Sequence, residues 1–152
     1  MGWFFSKRPP HPLEAAGLRP LEARAIAGDL KGVAADLRAA REAKGPVPAV
    51  LYLEALVYHE AGGAPAGELL AHLKGALAPA DGARFPEARL LEARLEGALG
   101  RFDAAARALE PLAKEKLAPE LLARVQETLV RVRALERPEA SRATAAEAEA
   151  PA

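Results

Sequence analysis

The sequence predicts an all-α protein built from antiparallel helical hairpins, and three observations lead to this fold class. Alanine and leucine are the commonest residues, glutamate and arginine fill most other helical positions, and all four are good helix formers. Apolar residues recur at helical spacing, as in the series Leu90, Leu91, Leu95 and Leu99. Glycine and proline divide the chain into segments of helical length with short connections, which make consecutive helices antiparallel.

Proline, glycine and aspartate predict where the helices begin and end. Proline can open a helix because its missing N–H falls where a helix has no intrahelical partner. Asp29 is a favourable N-cap for the second segment, and Asp103 caps or begins the sixth. The seven predicted helices span residues 20–27, 30–44, 48–61, 65–78, 86–99, 103–116 and 119–137.

The chain length and the placement of apolar residues predict one domain. At 152 residues there is room for a single core or a short repeat stack. We expect a helical domain over residues 13–137, preceded by an aromatic and basic segment at 1–12. Residues 138–152 have no large apolar side chain and cannot offset their ordering entropy by burial, which predicts a disordered tail.

The composition excludes several classes of function. The formal net charge is zero and the two signs are interspersed, so nucleic acid is not an expected partner. Cysteine is absent, which excludes disulfides, thiolate metal sites and thiol catalysis. No run approaches the roughly 18 to 20 apolar residues of a membrane span, and the start lacks the order of a signal peptide, so we expect a cytoplasmic protein. The residue usage, without asparagine, is compatible with a bacterial thermophile and equally with a GC-rich genome.

Helix-breaking glycines recur at a regular spacing. Gly28, Gly62 and Gly100 are predicted to form the elbows of successive hairpins, and they are separated by 34 and 38 residues. A period of about 34 residues with two helices per unit is typical of tetratricopeptide repeats. In the third unit the stretch GRFDAA resembles the elbow of that repeat. Gly100 ends the first helix, Phe102 packs beneath the turn, and Ala105 is the small residue that lets the two helices approach.

The chain thus resembles the tetratricopeptide repeat family, with degenerate repeats. Further matches are the small residues Ala55 and Ala93, the aromatic Tyr58 and the closing proline Pro79. The departures are Leu21 at a small-residue position and Leu51, Arg89 and Glu96 at positions that are usually aromatic. The resemblance implies three hairpins stacked as a short right-handed superhelix, with the last helix as a cap. A closed helical bundle, whose turns favour glycine and proline for local reasons, is the alternative.

In such a stack the first helices line a concave groove, which implies a set of residues that contact a partner. They are Tyr52, Leu56, His59, Glu60, Leu90, Arg94 and Gly97, completed by Arg124, Thr128 and Arg131 of the last helix. Tyr52 and Leu56 are either apolar anchors for a peptide or part of the core. Arg94 either holds a peptide carboxylate or belongs to a solvated charged face.

The sequence offers few candidate catalytic groups. His59 and Glu60 lack the second histidine, four residues on, that would share a helix face as a zinc ligand. A metal-dependent hydrolase using His59 and His72 remains as an alternative. Serine occurs only at Ser6 and Ser141, outside the predicted domain, so a serine nucleophile is not expected. We predict a protein that is not an enzyme and uses no metal or cofactor.

Three aromatic residues, Trp3, Phe4 and Phe5, precede two cations near the start of the chain. They either pack onto the helices, insert weakly at a membrane interface or dock into a partner. The main hypothesis is a module or scaffold that binds a protein or peptide partner in its groove. The alternative is a peripheral membrane accessory protein, tethered at the inner membrane face by these aromatic residues, that assists assembly of a larger complex. Neither hypothesis identifies the partner or the oligomeric state.

Overall fold

The computed structural model describes residues 11–78 and 85–136, and within these ranges the chain forms eight α-helices and no strand. The helices are α1 (Pro12–Ala15), α2 (Arg19–Ile26), α3 (Leu30–Lys44), α4 (Pro48–Ala61), α5 (Ala66–Leu77), α6 (Pro86–Ala98), α7 (Phe102–Ala113) and α8 (Pro119–Glu136). The predicted all-α fold class is confirmed. The predictions for Trp3, Phe4, Phe5 and Pro79, and for the tail over 138–152, lie outside the described residues.

Helices α3 and α4 begin and end at the predicted residues, and most other ends differ by one residue. The larger differences have local causes. Helix α7 ends at Ala113 rather than at residue 116, because the N–H groups of Lys114 and Glu115 turn back to carbonyls three residues earlier. The short helix α1 was not predicted. The imidazole of His11 caps it by accepting the Leu13 N–H at 3.1 Å.

The three predicted elbow glycines share one backbone geometry. Gly28, Gly62 and Gly100 have φ values of +99°, +68° and +79°, in the region where a side chain is strained. At each elbow, the N–H of the following residue donates to the carbonyl five positions back, at 2.9 to 3.0 Å. This hydrogen bond is the one that defines the Schellman motif at a helix end. Asp29 also caps α3 as predicted, since its carboxylate accepts the Gly32 N–H at 3.3 Å.

Consecutive helices pack against each other from α2 to α8, forming the hairpins α2–α3, α4–α5 and α6–α7. Helix α2 also contacts α4, helix α6 contacts α8, and α1 contacts α4. The predicted close-contact residues Ala55, Ala93 and Ala105 are all fully buried. A larger side chain at any of them would overpack the contact between neighbouring helices.

The buried apolar residues form two clusters that both include side chains of α6. One cluster runs from Leu13 to Leu95 and includes the fully buried Phe85, immediately before α6. The second joins Leu90 and Ala93 of α6 to α7 and α8. Helix α6 therefore couples the first part of the described chain to the last. No helix in residues 11–78 and 85–136 is long and apolar enough to cross a membrane.

Candidate ligand-binding cleft

A cleft of about 710 Å³ opens between α1 and α2 on one side and the start of α6, the α7–α8 connection and α8 on the other. Its apolar lining includes Ile26 of α2 and Leu121 of α8. Its ionisable lining residues are His11, Glu14, Arg19, Glu22, Glu87, Lys116, Glu120 and Arg124. The four carboxylates all come from first helical turns, of α1, α2, α6 and α8. Four helix N-termini therefore converge on one cleft.

Glu22 and Glu87 are the buried charged residues of the described chain, at 6% and 5% exposed. Glu87 Oε2 accepts a hydrogen bond from Arg19 Nη1 at 2.6 Å, and Glu87 Oε1 lies 2.9 Å from His11 Nε2. These contacts join residues separated by 68 and 76 positions in the sequence. They connect the start of the described chain directly to α6 across the inner end of the cleft.

The protonation of the His11 ring follows from its two hydrogen bonds. Its Nδ1 accepts the Leu13 N–H, so Nδ1 carries no proton. The proton of the neutral ring is therefore on Nε2, which donates to Glu87. The ring also meets Phe85 edge-on, with centroids 5.3 Å apart. One side chain thus caps α1 and holds Glu87.

Glu22 is held differently from Glu87. Its Oε2 accepts the Tyr52 hydroxyl at 2.6 Å, whereas Oε1 has only a long contact of 3.5 Å from Arg19 Nη1. The Tyr52 ring packs on Phe85 with centroids 4.9 Å apart and planes tilted by 57°. Phe85 therefore supports both the tyrosine that bonds Glu22 and the histidine that bonds Glu87.

The two buried carboxyl groups have pKa values displaced in opposite directions. Burial, reinforced by nearby Glu87, raises the pKa of Glu22 despite the hydrogen bond from Tyr52. Burial by itself would also raise the pKa of Glu87. The hydrogen bonds from His11, from its own backbone and from Arg19 outweigh this effect, and the pKa of Glu87 is lowered. Burial and the Glu22 charge together raise the pKa of Tyr52 well above its ordinary value. The cleft thus holds one well-compensated carboxylate and one that is less well compensated.

A single guanidinium serves three carboxylates at this end of the cleft. Arg19 lies 2.6 Å from Glu87, 3.5 Å from Glu22 and 3.6 Å from Glu14. These direct contacts set three carboxylates against one permanent cation. The helix N-termini favour first-turn carboxylates by their dipoles, but this effect is worth less than a full charge. Negative charge is therefore in excess at the inner end of the cleft.

Three of the predicted groove residues are part of the core. Tyr52, Leu56 and Leu90 are each 1% exposed. For Tyr52 and Leu56 the core interpretation, which the sequence left open, describes the structure. Leu90 is buried in the cluster with α7 and α8. A partner in the cleft does not reach these three side chains in this conformation.

The remaining predicted groove residues lie at three separate places. Arg124 lines the cleft. Arg94 instead forms an ion pair with Glu60 at 3.1 Å, which joins α6 to α4 away from the cleft, and Arg131 pairs with Glu127 on the exposed surface of α8. His59 is half-buried, and burial together with the Arg94 charge lowers its pKa. Of the polar groove residues predicted on α4 and α6, none lines the cleft.

The two histidines of the metal hypothesis have different charged neighbours, Arg94 for His59 and Glu54 for His72. His72 Nε2 lies 2.9 Å from Glu54 Oε1, and Glu54 also pairs with Arg41 at 2.8 Å. In the part of the chain that the structure describes, no group of three or more histidine and acidic residues is arranged to hold a metal ion.

Sequence reasoning missed the residues that build the inner end of the cleft: His11, Arg19, Glu22, Phe85 and Glu87. A signal was present, because glutamate follows a helix-opening proline by one or two residues in α1, α2, α6 and α8. Acidic residues in a first turn are ordinary partners of the helix dipole, and on that basis they predict only a helix start. Their convergence depends on how the helices pack.

No protein-family model, curated protein or solved structure matches the chain. The tetratricopeptide resemblance therefore rests on the residues quoted above and stays a prediction.

Proposed function

We propose that the chain is a non-enzymatic binding module, made of three degenerate tetratricopeptide-like hairpins and a capping helix α8, that holds a segment of a protein or peptide partner in the cleft. The observation that carries this proposal is the cleft itself, because first helices α2 and α6 and the cap α8 all line it. Two of the three first helices that would line the binding groove of a stacked helical repeat therefore border the cleft, although no residue of α4 lines it.

Two features support the repeat interpretation. The hairpins share the same left-handed glycine elbow, at Gly28, Gly62 and Gly100. The contacts of α2 with α4 and of α6 with α8 are those expected when one hairpin stacks on the next element. The right-handed superhelix is part of this proposal.

The size and lining of the cleft suit a short peptide segment. Its volume of about 710 Å³ falls in the range of roughly 300 to 1,000 Å³ that is usual for ligand sites. Ile26 is 48% exposed beside the cleft, so an apolar contact is available next to the charged groups. This combination favours a partner that brings one or two side chains into the cleft while its backbone crosses the mouth.

Peptide display provides a direct test with a matched pair of variants. Ala23 is an exposed residue of α2 that lines the cleft, and Ala39 is an exposed residue of α3 that does not. Peptides selected on the wild-type protein should lose binding to Ala23→Trp and keep it with Ala39→Trp. If both variants bind the selected peptides as the wild type does, the cleft is not the binding surface.

A further inference from the structure

The two buried carboxylates of the cleft, Glu22 and Glu87, differ in how many close hydrogen bonds their oxygens accept. Glu87 receives close hydrogen bonds on both oxygens, from His11 and Arg19. Glu22 receives one close hydrogen bond, from Tyr52 on Oε2, while Oε1 has only the 3.5 Å contact from an arginine that already serves Glu87. A carboxylate normally accepts two or more hydrogen bonds on its oxygens. Of the buried carboxylate oxygens in this cleft, Glu22 Oε1 is therefore the one that lacks a close hydrogen-bond donor.

The charged groups around the rest of the cleft do not fill this position. Lys116 and Arg124 are the other cations of the lining, and neither lies within 4 Å of a carboxylate oxygen of residues 11–78 and 85–136. Arg124 acts on Glu22 only as a more distant charge, which is a minor downward influence on the Glu22 pKa. Glu120 adds a further carboxylate on α8. The lining as a whole holds four carboxylates against three permanent cations.

We propose that the partner segment inserts a lysine or arginine side chain into the cleft and that its cationic group pairs with Glu22 Oε1. This inference rests on the proposed binding function and names the chemistry that the site selects. A cation there would share the negative charge of Glu22, Glu87 and Glu14 with Arg19. An acidic side chain in the same place would add a fourth negative charge beside one guanidinium, which is unfavourable next to the buried carboxylates of Glu22 and Glu87.

The apolar neighbours suit the stem of the same side chain. Ala23 and Ile26 follow Glu22 on α2 and line the cleft, so the methylene groups of a lysine can pack on them while the ammonium group reaches the carboxylate. Lys116 and Arg124 lie on the opposite wall, where they favour an acidic residue next to the basic one in the partner.

The probes for the test are three blocked pentapeptides, Ala-Ala-X-Ala-Ala, in which X is lysine, norleucine or glutamate. Two-dimensional NMR of the full chain at pH 7.5 should show saturable shifts of the amide signals of residues 21–26 with the lysine peptide. We expect binding at least tenfold weaker for the norleucine peptide, which has the same stem without the charge, and for the glutamate peptide. Equal binding of the lysine and norleucine peptides would overturn the proposal.

Substitutions identify the carboxylate. Glu22→Gln should weaken the lysine peptide at least tenfold, whereas the control Glu60→Gln, in the ion pair with Arg94, should leave it unchanged. Tyr52→Phe removes the one close donor of Glu22 and should preserve or strengthen lysine binding, an effect in the opposite direction that a loss of structure does not produce. Unchanged affinity in Glu22→Gln, or loss of affinity in Tyr52→Phe with retained helicity, contradicts the assignment.

The final experiment tests binding of a free polyamine, because a polyamine offers the same ammonium group as a lysine side chain. If spermidine binds more tightly than the lysine peptide and depends on Glu22, the site takes small amines and the assignment to a partner side chain is overturned. Display-selected peptides that are lost in Ala23→Trp but do not depend on Glu22 would leave the proposed function standing while this inference fails. Absence of any selected peptide would instead remove the proposed function.

Discussion

Glu87 holds the start of the described chain against α6, and replacing it by glutamine tests how much that connection stabilises the fold. Glutamine has nearly the same shape but no charge, and it presents one oxygen where the carboxylate presents two. It can therefore keep an acceptor for either His11 or Arg19, but not for both. The substitution leaves the packing of Phe85 and Tyr52 in place.

The expected cost follows from the two hydrogen bonds. A hydrogen bond to a charged group contributes roughly 1.5 to 3 kcal/mol and a neutral one about 1 kcal/mol. Losing one hydrogen bond and making the other neutral costs about 3 kcal/mol. The substitution also removes a buried negative charge beside Glu22, which lowers this cost. Arg19 is 42% exposed, so water screens part of its attraction. We expect a net loss of about 2 kcal/mol, which lowers Tm by about 4 to 8 °C in a chain of this length.

Urea denaturation at several pH values, followed by circular dichroism, measures this effect. Because the pKa of Glu87 is lowered in the folded state, its stabilisation is present above the ordinary value of 4.5 and is lost as pH falls through the folded pKa. The gap between wild type and Glu87→Gln should therefore close in acid. Glu127→Gln is the control, since its ion pair with Arg131 is 71% exposed on both sides and should contribute less than about 0.5 kcal/mol. If Glu87→Gln costs no more than this control at pH 7, the connection through Glu87 does not stabilise the fold.

Three further predictions use other parts of the structure. Glu22→Gln should be at least as stable as wild type at pH 8, because the raised pKa of Glu22 means that its ionised form destabilises the fold. In the same urea series, the difference in unfolding free energy between the two proteins should disappear as the pH falls below that pKa. Phe85→Ala removes the fully buried ring that supports His11 and Tyr52, and it should lower the free energy of unfolding by about 3 to 5 kcal/mol in urea denaturation. A loss of under about 1 kcal/mol would be incompatible with the place of Phe85 in the core. Gly100→Ala forces a side chain into a φ of +79° and should lower the free energy of unfolding by about 1 kcal/mol. Gly97→Ala lies inside α6, where its new Cβ would be 3.9 Å from the nearest side-chain atom, and should raise the free energy of unfolding by about 0.5 to 1 kcal/mol. Thermal melts in which both substitutions shift Tm in the same direction would contradict the elbow geometry.

The helices could be predicted because their signals are local. A proline at a helix start, an aspartate N-cap and a glycine at positive φ act on the backbone within one turn, and tertiary packing did not override them. The bounds of α3 and α4 follow from such signals alone. Helix α1 escaped prediction because its cap is a histidine, whose Nδ1 accepts the Leu13 N–H in a role usually taken by serine, threonine, aspartate or asparagine.

The residues of the candidate site could not be predicted from the sequence. The repeat pattern predicted a groove lined by first helices, and of these α2 and α6 line the cleft while α4 does not. Of the residues predicted from that pattern, Arg124 lines the cleft, whereas Tyr52, Leu56 and Leu90 are buried and Arg94 is engaged by Glu60. Which turn of a helix faces a cleft depends on the relative position of helices that are distant in sequence.

The sequence by itself determined that this chain is helical, where its helices turn, and which small residues lie between them, because those properties depend on neighbours within a few positions. The tertiary structure decided which charges meet. Glutamates in the first turns of separate helices are individually ordinary, and only packing brings Glu22 and Glu87, 65 positions apart in the chain, to one guanidinium at Arg19. Burial then gives their charges an importance that they do not have on an exposed helix, since water no longer screens them.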